Sequence, residues 1–232
     1  MARKLRRAWH RFLSGARLRA YQGTPPAWVS AVPRRLAARL RLHPPPPGER
    51  RLEFGSGWSP RPGYIHVDVL ADNPLTDVIC RADELDLPAG WADEILSLHM
   101  IEHVPPPALA ALAAGWLRLL RPGGTLTVHT PNAAAIGAVL ADPQQRDDNV
   151  WIALSAVYGY NLAPWDAGTP DRLRNPPDHK LVFTPALLTS LLEEAGFVDV
   201  ADVSGADPAC HHTKDWAPYV PGLCLEIRAT RP

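Results

Sequence analysis

Residues 51–69 read Arg51-Leu52-Glu53-Phe54-Gly55-Ser56-Gly57-Trp58-Ser59-Pro60-Arg61-Pro62-Gly63-Tyr64-Ile65-His66-Val67-Asp68-Val69. The stretch opens with four residues too short for a helix and is stopped at once by two glycines. A brief proline-rich loop follows, and then an alternating run, Tyr64 to Val69, with an acid near its end. Strand, glycine turn, loop and strand are predicted in that order. Glycines at such a turn let the backbone bend sharply and approach a ligand. In open α/β sheets ligands sit just outside the carboxyl ends of strands, so Glu53, the Gly55-Ser56-Gly57 turn and Asp68 are expected around one small molecule.

Strand and helix patterns alternate downstream. Asp77 to Cys80 and Ala92 to His99 read as strands. Ala108 to Leu120 reads as a helix started by Pro105, Pro106 and Pro107, and Arg121-Pro122-Gly123-Gly124 reads as its end. Thr125 to Thr130 is a buried-type strand, Pro185 to Ala195 a helix stopped by Gly196, and Val198 to Val203 and Leu223 to Ala229 are strands. Such alternation predicts an α/β fold with a parallel sheet. Residues 133–178 break the rhythm with helical pieces and a proline-rich, aromatic loop, the pattern of a cap over a site.

The chain has 232 residues and a formal net charge of zero, but the charge is divided. Residues 1–51 hold 13 of the 24 Lys and Arg and one acid, Glu49, so they carry +12 and the remainder −12. Residues 1–48 are expected to form a basic helical arm with a stiff His43-Pro44-Pro45-Pro46-Pro47-Gly48 linker, and residues 49–232 the domain proper. On the first helix Leu5, Trp9, Phe12, Leu13 and Ala16 share a face, and Arg3, Arg6, Arg7, Arg17 and Arg19 lie largely elsewhere. That helix suits an anionic membrane surface, self-association, or docking on the domain itself. Three widely spaced cysteines argue against a disulfide framework and for a reducing, cytoplasmic setting. No apolar run reaches the length of a membrane span.

Taken together, the glycine turn, Asp68, Ala82-Asp83-Glu84-Leu85-Asp86-Leu87-Pro88, Ala92 to Val104, Leu120 to Leu126 and Thr184 to Phe197 resemble the class I S-adenosylmethionine-dependent methyltransferases, in their compact type 11-like branch. The likeness covers roughly residues 50 to 230. It implies a Rossmann-like, seven-stranded, mostly parallel sheet with an antiparallel last strand and helices on both faces. It implies S-adenosyl-L-methionine as cofactor, held by Glu53, Gly55, Ser56, Gly57, Asp68 and Val69, by Asp83 and Glu84 at the adenine edge, and by His99 and Met100. Asp68 lies only 11 positions after Gly57, too few for the usual crossover helix, so residues 58–63 must replace it with a loop. That spacing also disfavours a dehydrogenase.

The resemblance implies methyl transfer to a small molecule or a glycan or natural-product precursor, with oxygen as the expected acceptor atom. A hydroxyl acceptor needs a base, and histidine is the usual choice. His179, where the cap rejoins the domain, and His103 are the candidates. Trp151, Tyr158, Tyr160, His211, His212 and Trp216 are candidate acceptor contacts. Cys210-His211-His212 does not have the spaced ligands of a structural zinc site, so no metal is expected. A nucleic-acid methyltransferase is prompted by the basic arm but disfavoured by His99-Met100-Ile101-Glu102-His103 after the fourth strand. A non-catalytic protein that kept the fold is the remaining alternative.

Overall fold

The structure, a computed structural model, describes residues 2–57, 60–159, 179–205 and 222–232. Seven strands form one sheet in the order β3-β2-β1-β4-β5-β7-β6. They are β1 (Arg51–Phe54), β2 (Ile65–Asp68), β3 (Val78–Ile79), β4 (Ala92–Leu98), β5 (Leu120–Pro131), β6 (Val198–Asp202) and β7 (Cys224–Thr230). Among the described residues the α-helices are α1 (Ala2–Tyr21), α2 (Arg34–Arg39), α3 (Leu109–Leu119), α4 (Ala133–Ala141), α5 (Asp147–Tyr158) and α6 (Pro185–Glu194).

β1 pairs in parallel with β2 on one side and β4 on the other, and β2 pairs in parallel with β3. β6 and β7 pair antiparallel. β7 also runs against β5. Gly123 and Gly124 exchange backbone hydrogen bonds with Arg231 at one end, and Asn132 donates to the Leu223 carbonyl at the other. This is the mostly parallel, Rossmann-like architecture that the resemblance implies. β5 begins at Leu120, so Arg121-Pro122-Gly123-Gly124, expected to lie outside the strand, belongs to its start, with Arg121, Pro122 and Gly123 exposed and Gly124 buried. The reason is local. A Cβ at Gly124 would stand 2.9 Å from the Arg121 carbonyl oxygen and 3.1 Å from that of Asp93, so only glycine lets the chain pass this close.

The chain groups into two compact units. The first comprises Met1–Ser97, Ala114–Leu126 and Arg231–Pro232, and the second Leu98–Ala113 and Thr127–Thr230. The first 48 residues, expected as an arm, belong to the first unit. α1 lies along β3 and closes the open edge of the sheet there, because the Ile79 N–H donates to Ser14 Oγ at 2.8 Å. Trp91 Nε1 donates to the Tyr21 carbonyl, and the proline linker is tied down where Asp93 accepts from the Gly48 and Arg50 amides. Leu13, Ala16, Ala20 and Tyr21 are buried, whereas Leu5, Trp9 and Phe12 are 62%, 54% and 47% exposed. The face read from the sequence is therefore split, with its second half docked and its first half largely exposed, Phe12 being stacked on Trp28 at 5.3 Å.

The core of the first unit centres on Leu52, Phe54, Ile95, Leu96 and Trp116, all completely or almost completely buried, with the Phe54 and Trp116 rings 6.2 Å apart. In the second unit Ile136, Val139, Ala153, Ala156 and Leu223 form a cluster between α4 and α5. α4 is started by Asn132, whose side chain accepts from the Ala134 and Ala135 amides, and α6 by Thr184, which accepts from Leu187.

Candidate functional site

In the first unit the glycine turn follows β1 directly. β1 is the strand from which the chain order departs in both directions, toward β2 and toward β4, and ligands of doubly wound sheets bind at that switch. Gly55 (φ 75°) and Gly57 (φ 51°) both occupy left-handed backbone that side chains disfavour. Asp68, at the end of β2, fixes the turn: Oδ2 accepts from the Gly57 amide at 2.9 Å and Oδ1 from the Leu70 amide at 3.0 Å. Asn73 Nδ2 donates to the Gly57 carbonyl. Ser56 Oγ is buried and has no hydrogen-bond partner among the described residues. Residues 60–63 form a loop between β1 and β2, as the short spacing required. Trp58 and Ser59 lie outside the described residues.

Beneath the turn the sequence reading missed a polar row. Glu53, His66 and Asp77 sit at successive positions across β1, β2 and the start of β3, with Glu53 and His66 in register. Glu53 is completely buried and its Oε2 accepts from the Arg61 amide at 2.8 Å, so it holds the loop from below. His66 Nε2 donates to the Arg61 carbonyl at 2.8 Å and lies 3.4 Å from Glu53 Oε2, and its Nδ1 lies 3.2 Å from Asp77 Oδ2. Arg17 and Arg41 bring positive charge to Asp77. Burial disfavours the His66 imidazolium, but Asp77, the Arg61 carbonyl and Glu53 outweigh it and raise its pKa. Burial opposes ionisation of Asp77 too, yet His66 and Arg41 hold its carboxyl below the ordinary range. The signal available was the alternation of Glu53, His66 and Asp77 with apolar strand residues.

The other expected cofactor contacts of this unit, Val69, Asp83 and Glu84, lie on the surface. Asp83 is exposed, and its carboxylate is gripped by Arg81 at 3.0 and 3.1 Å. The Glu84 amide donates to the Arg81 carbonyl within the same short turn. Val69 is exposed just past β2.

The second unit holds a connected set of titratable side chains after β4. His99 adopts left-handed backbone (φ 47°), unusual for a residue with a side chain. Its Nδ1 lies 3.1 Å from Glu102 Oε1 and its Nε2 lies 3.7 Å from Cys224 Sγ. An ionised carboxylate only accepts, so Nδ1 carries the proton toward Glu102. Thr130 Oγ1 donates to the other carboxylate oxygen at 3.1 Å. His129 Nδ1 stands 3.8 Å from the same thiol, and Glu226 lies 3.6 Å from its Nε2. Burial opposes charge on His99, but Cys224 and Glu102 push its pKa up to about 10. Burial likewise opposes the Cys224 thiolate, but His129 and His99 bring it down to about 7. Burial works against ionised Glu102, and His99 outweighs it, so the carboxyl stays below its ordinary range.

His103 and His179, the two expected bases, are brought together with Glu102. Their rings are 4.7 Å apart, edge to face. The segment bearing His179 is held by the Lys180 amide, which donates to the Glu102 carbonyl at 2.7 Å. His179 Nδ1 donates to the Ala156 carbonyl at 2.7 Å, which leaves Nε2 with the lone pair. Burial lowers the His179 pKa, and the neighbouring His103 and His99 act in the same direction against Glu102. His179 is therefore neutral near pH 7 and able to accept a proton. Trp151 and Tyr158 are exposed on α5. Tyr160, His211, His212 and Trp216 lie outside the described residues.

No protein-family model and no curated protein matches the sequence. Similar solved structures include phosphoethanolamine N-methyltransferase 2 of Haemonchus contortus bound to phosphomonomethylethanolamine and S-adenosylhomocysteine, at 15% identity over 85% of this chain, with a TM-score of 0.46. The present chain spans 52% of that protein. A SAM-dependent methyltransferase of Archaeoglobus fulgidus is similar at 17% identity over 78% of this chain and 86% of its own, with a TM-score of 0.49. Another, of Thermotoga maritima, is similar at 18% identity over 99% and 94%, with a TM-score of 0.48.

Proposed function

We propose that this chain is an S-adenosylmethionine-dependent methyltransferase that methylates an oxygen of a small molecule or of a glycan or natural-product precursor. The observation that carries the reading is the Gly55-Ser56-Gly57 turn at the topological switch, fixed by Asp68. The residues fit the cofactor. Two glycines in left-handed backbone let the main chain come close, and a buried Ser56 hydroxyl with no partner among the described residues suits a polar ligand group. Asp68 supplies a carboxylate of the kind that accepts from ribose hydroxyls.

The bound cofactor supplies an electrophilic methyl on a sulfonium centre. Around it, Gly55, Ser56 and Gly57 bind the amino-acid end and Asp68 the ribose. Glu53 positions the turn from beneath rather than touching the ligand. Asp83, Glu84 and Val69 are the further proposed cofactor contacts of the first unit, and His99 and Met100 those proposed in the second. The His99 side chain is committed to Glu102 and Cys224, which leaves its contribution to the backbone. His179 accepts the acceptor hydroxyl's proton at Nε2, and His103 lies beside it as the second candidate. Trp151 and Tyr158 present apolar surface for an acceptor.

The exposed Leu5, Trp9 and Phe12 stand among exposed Arg6, Arg11 and Lys4 on α1, and this combination suits an anionic membrane surface. No helix among the described residues is long and apolar enough to cross a membrane.

The deciding experiment is a thermal-shift titration with S-adenosylmethionine and S-adenosylhomocysteine. At 100 times Kd, binding to the native state adds about 2.7 kcal/mol and raises Tm. No shift at millimolar cofactor overturns the reading.

A further inference from the structure

We propose that Glu102, His103 and His179 form a binding site for one divalent first-row transition-metal ion of the zinc class. One ligand atom from each residue lies within 4.8 Å of the other two. Two imidazoles and a carboxylate are the donor set of open zinc sites, which hold the ion by three protein ligands and leave a position for water or substrate. Borderline imidazole donors select such ions over magnesium or calcium, which prefer all-oxygen surroundings.

The arrangement has the supports a metal site needs. Both Glu102 carboxylate oxygens are oriented from behind, one by His99 Nδ1 and one by Thr130 Oγ1, each at 3.1 Å. His179 donates its Nδ1 proton to the Ala156 carbonyl, which fixes the tautomer that presents Nε2. Bonds of this outer kind set ligand orientation and basicity in metal sites. The backbone adds a clamp, since the Lys180 amide on the Glu102 carbonyl locks the sequence-distant His179 beside the Glu102-His103 pair. Zinc at bond lengths of about 2.0–2.2 Å draws its ligands to roughly 3.3–3.5 Å from one another.

The site goes beyond the methyltransferase reading and does not depend on it. On that reading, the His179 Nε2 lone pair belongs to the ion when the ion is bound. Bound there, the ion would lower the pKa of a hydroxyl placed at its open position, whose proton would pass to water.

The test is zinc binding by the full chain, stripped with chelator and dialysed against Zn2+, with metal measured per chain. Co2+ substitution reports the ligand field by visible absorption. One ion per chain is expected. His103→Ala and His179→Ala should each weaken Zn2+ binding by at least about 100-fold with an unchanged circular dichroism spectrum, and Thr130→Val by about tenfold. Glu102 is fully buried and its removal risks unfolding, so the two histidine variants decide. A Cys210→Ser/His211→Ala/His212→Ala variant should keep its zinc. Absence of zinc at micromolar concentrations, binding unchanged in both histidine variants, or binding lost only in the triple variant overturns the proposal. None of these results alters the cofactor thermal shift, so the two readings fail separately.

Discussion

His99 reaches Glu102 Oε1 with Nδ1 and Cys224 Sγ with Nε2 from a left-handed backbone, so one strained residue joins a buried carboxylate to a thiol 125 positions away. Such strain persists only where the surroundings enforce it, and here a carboxylate and a thiol hold the ring from both sides.

The first prediction concerns that thiol. In a Cys210→Ser background, Cys224 should alkylate with iodoacetamide along a pH profile with its midpoint at about 7. Cys80, pushed up to about 12 by burial and by Glu84 and Asp83, should stay unreactive through this range. His99→Gln removes one of the two supporting imidazoles and should move the midpoint toward the ordinary 9.0. An unshifted profile in that variant would sink the pairing.

The row under the glycine turn sets a pH window for stability. Asp77 is held below its ordinary 3.8, so its contribution is present above that pH and is lost as pH falls through the lowered value. His66 is raised above 6.5, so its contribution is full below 6.5 and is lost as pH rises through the raised value. Urea unfolding of wild type and His66→Gln should therefore differ most between pH 3.8 and 6.5 and converge on either side. Asp77→Ala leaves buried partners unpaired and should cost about 3–5 kcal/mol. A difference that is flat with pH would remove the row from the stability of the first unit.

Asp68 is expected to serve both the turn and the cofactor. Asp68→Ala should weaken S-adenosylmethionine binding at least tenfold by calorimetry. Asp68→Asn keeps an oxygen for the Gly57 amide but lacks the charge, and should recover part of the loss. Equal, unchanged affinity in both variants would take the ribose away from this residue.

His179→Ala should lower turnover at least about 100-fold while leaving cofactor affinity intact. Because burial holds His179 below its ordinary 6.5, wild-type kcat should fall only as pH drops beneath that value. Intact turnover in the variant would assign the proton transfer elsewhere.

Leu5→Ser/Trp9→Ser removes the most exposed apolar residues of the α1 face and spares Leu13 and Ala16. The wild-type chain should sediment with phosphatidylserine-containing vesicles and remain in solution with neutral ones, and this double variant should lose the interaction. A concentration-dependent increase in mass of the wild type with no vesicle binding would mark the face as a contact between copies instead.

The order of strands and helices was legible in the sequence because each carries its own local signal. Gly55 and Gly57 stop β1, Pro185 and Gly196 bracket α6, and the short run from Gly57 to Asp68 excludes a crossover helix on length alone. Candidate positions could be named in the same way, since Asp68 ends β2, His103 closely follows β4 and His179 stands where the irregular stretch rejoins the domain. Their partners could not be named, because partnership depends on register and on distant segments. Glu53, His66 and Asp77 form a row only because β1, β2 and β3 lie side by side in one register.

By itself the sequence determined the α/β alternation, the glycine turn and the acid that follows it, for these rest on backbone propensities acting over a few residues. The tertiary structure decided which half of the α1 face is buried, because docking along β3 leaves Leu13 and Ala16 buried, Ala16 in a cluster with Val29, Ala37 and Leu42, and leaves Leu5 and Trp9 exposed. It also decided that His103 and His179, 76 positions apart, share Glu102. No local pattern encodes that meeting, and it follows from the Lys180 amide seeking a buried carbonyl and finding that of Glu102.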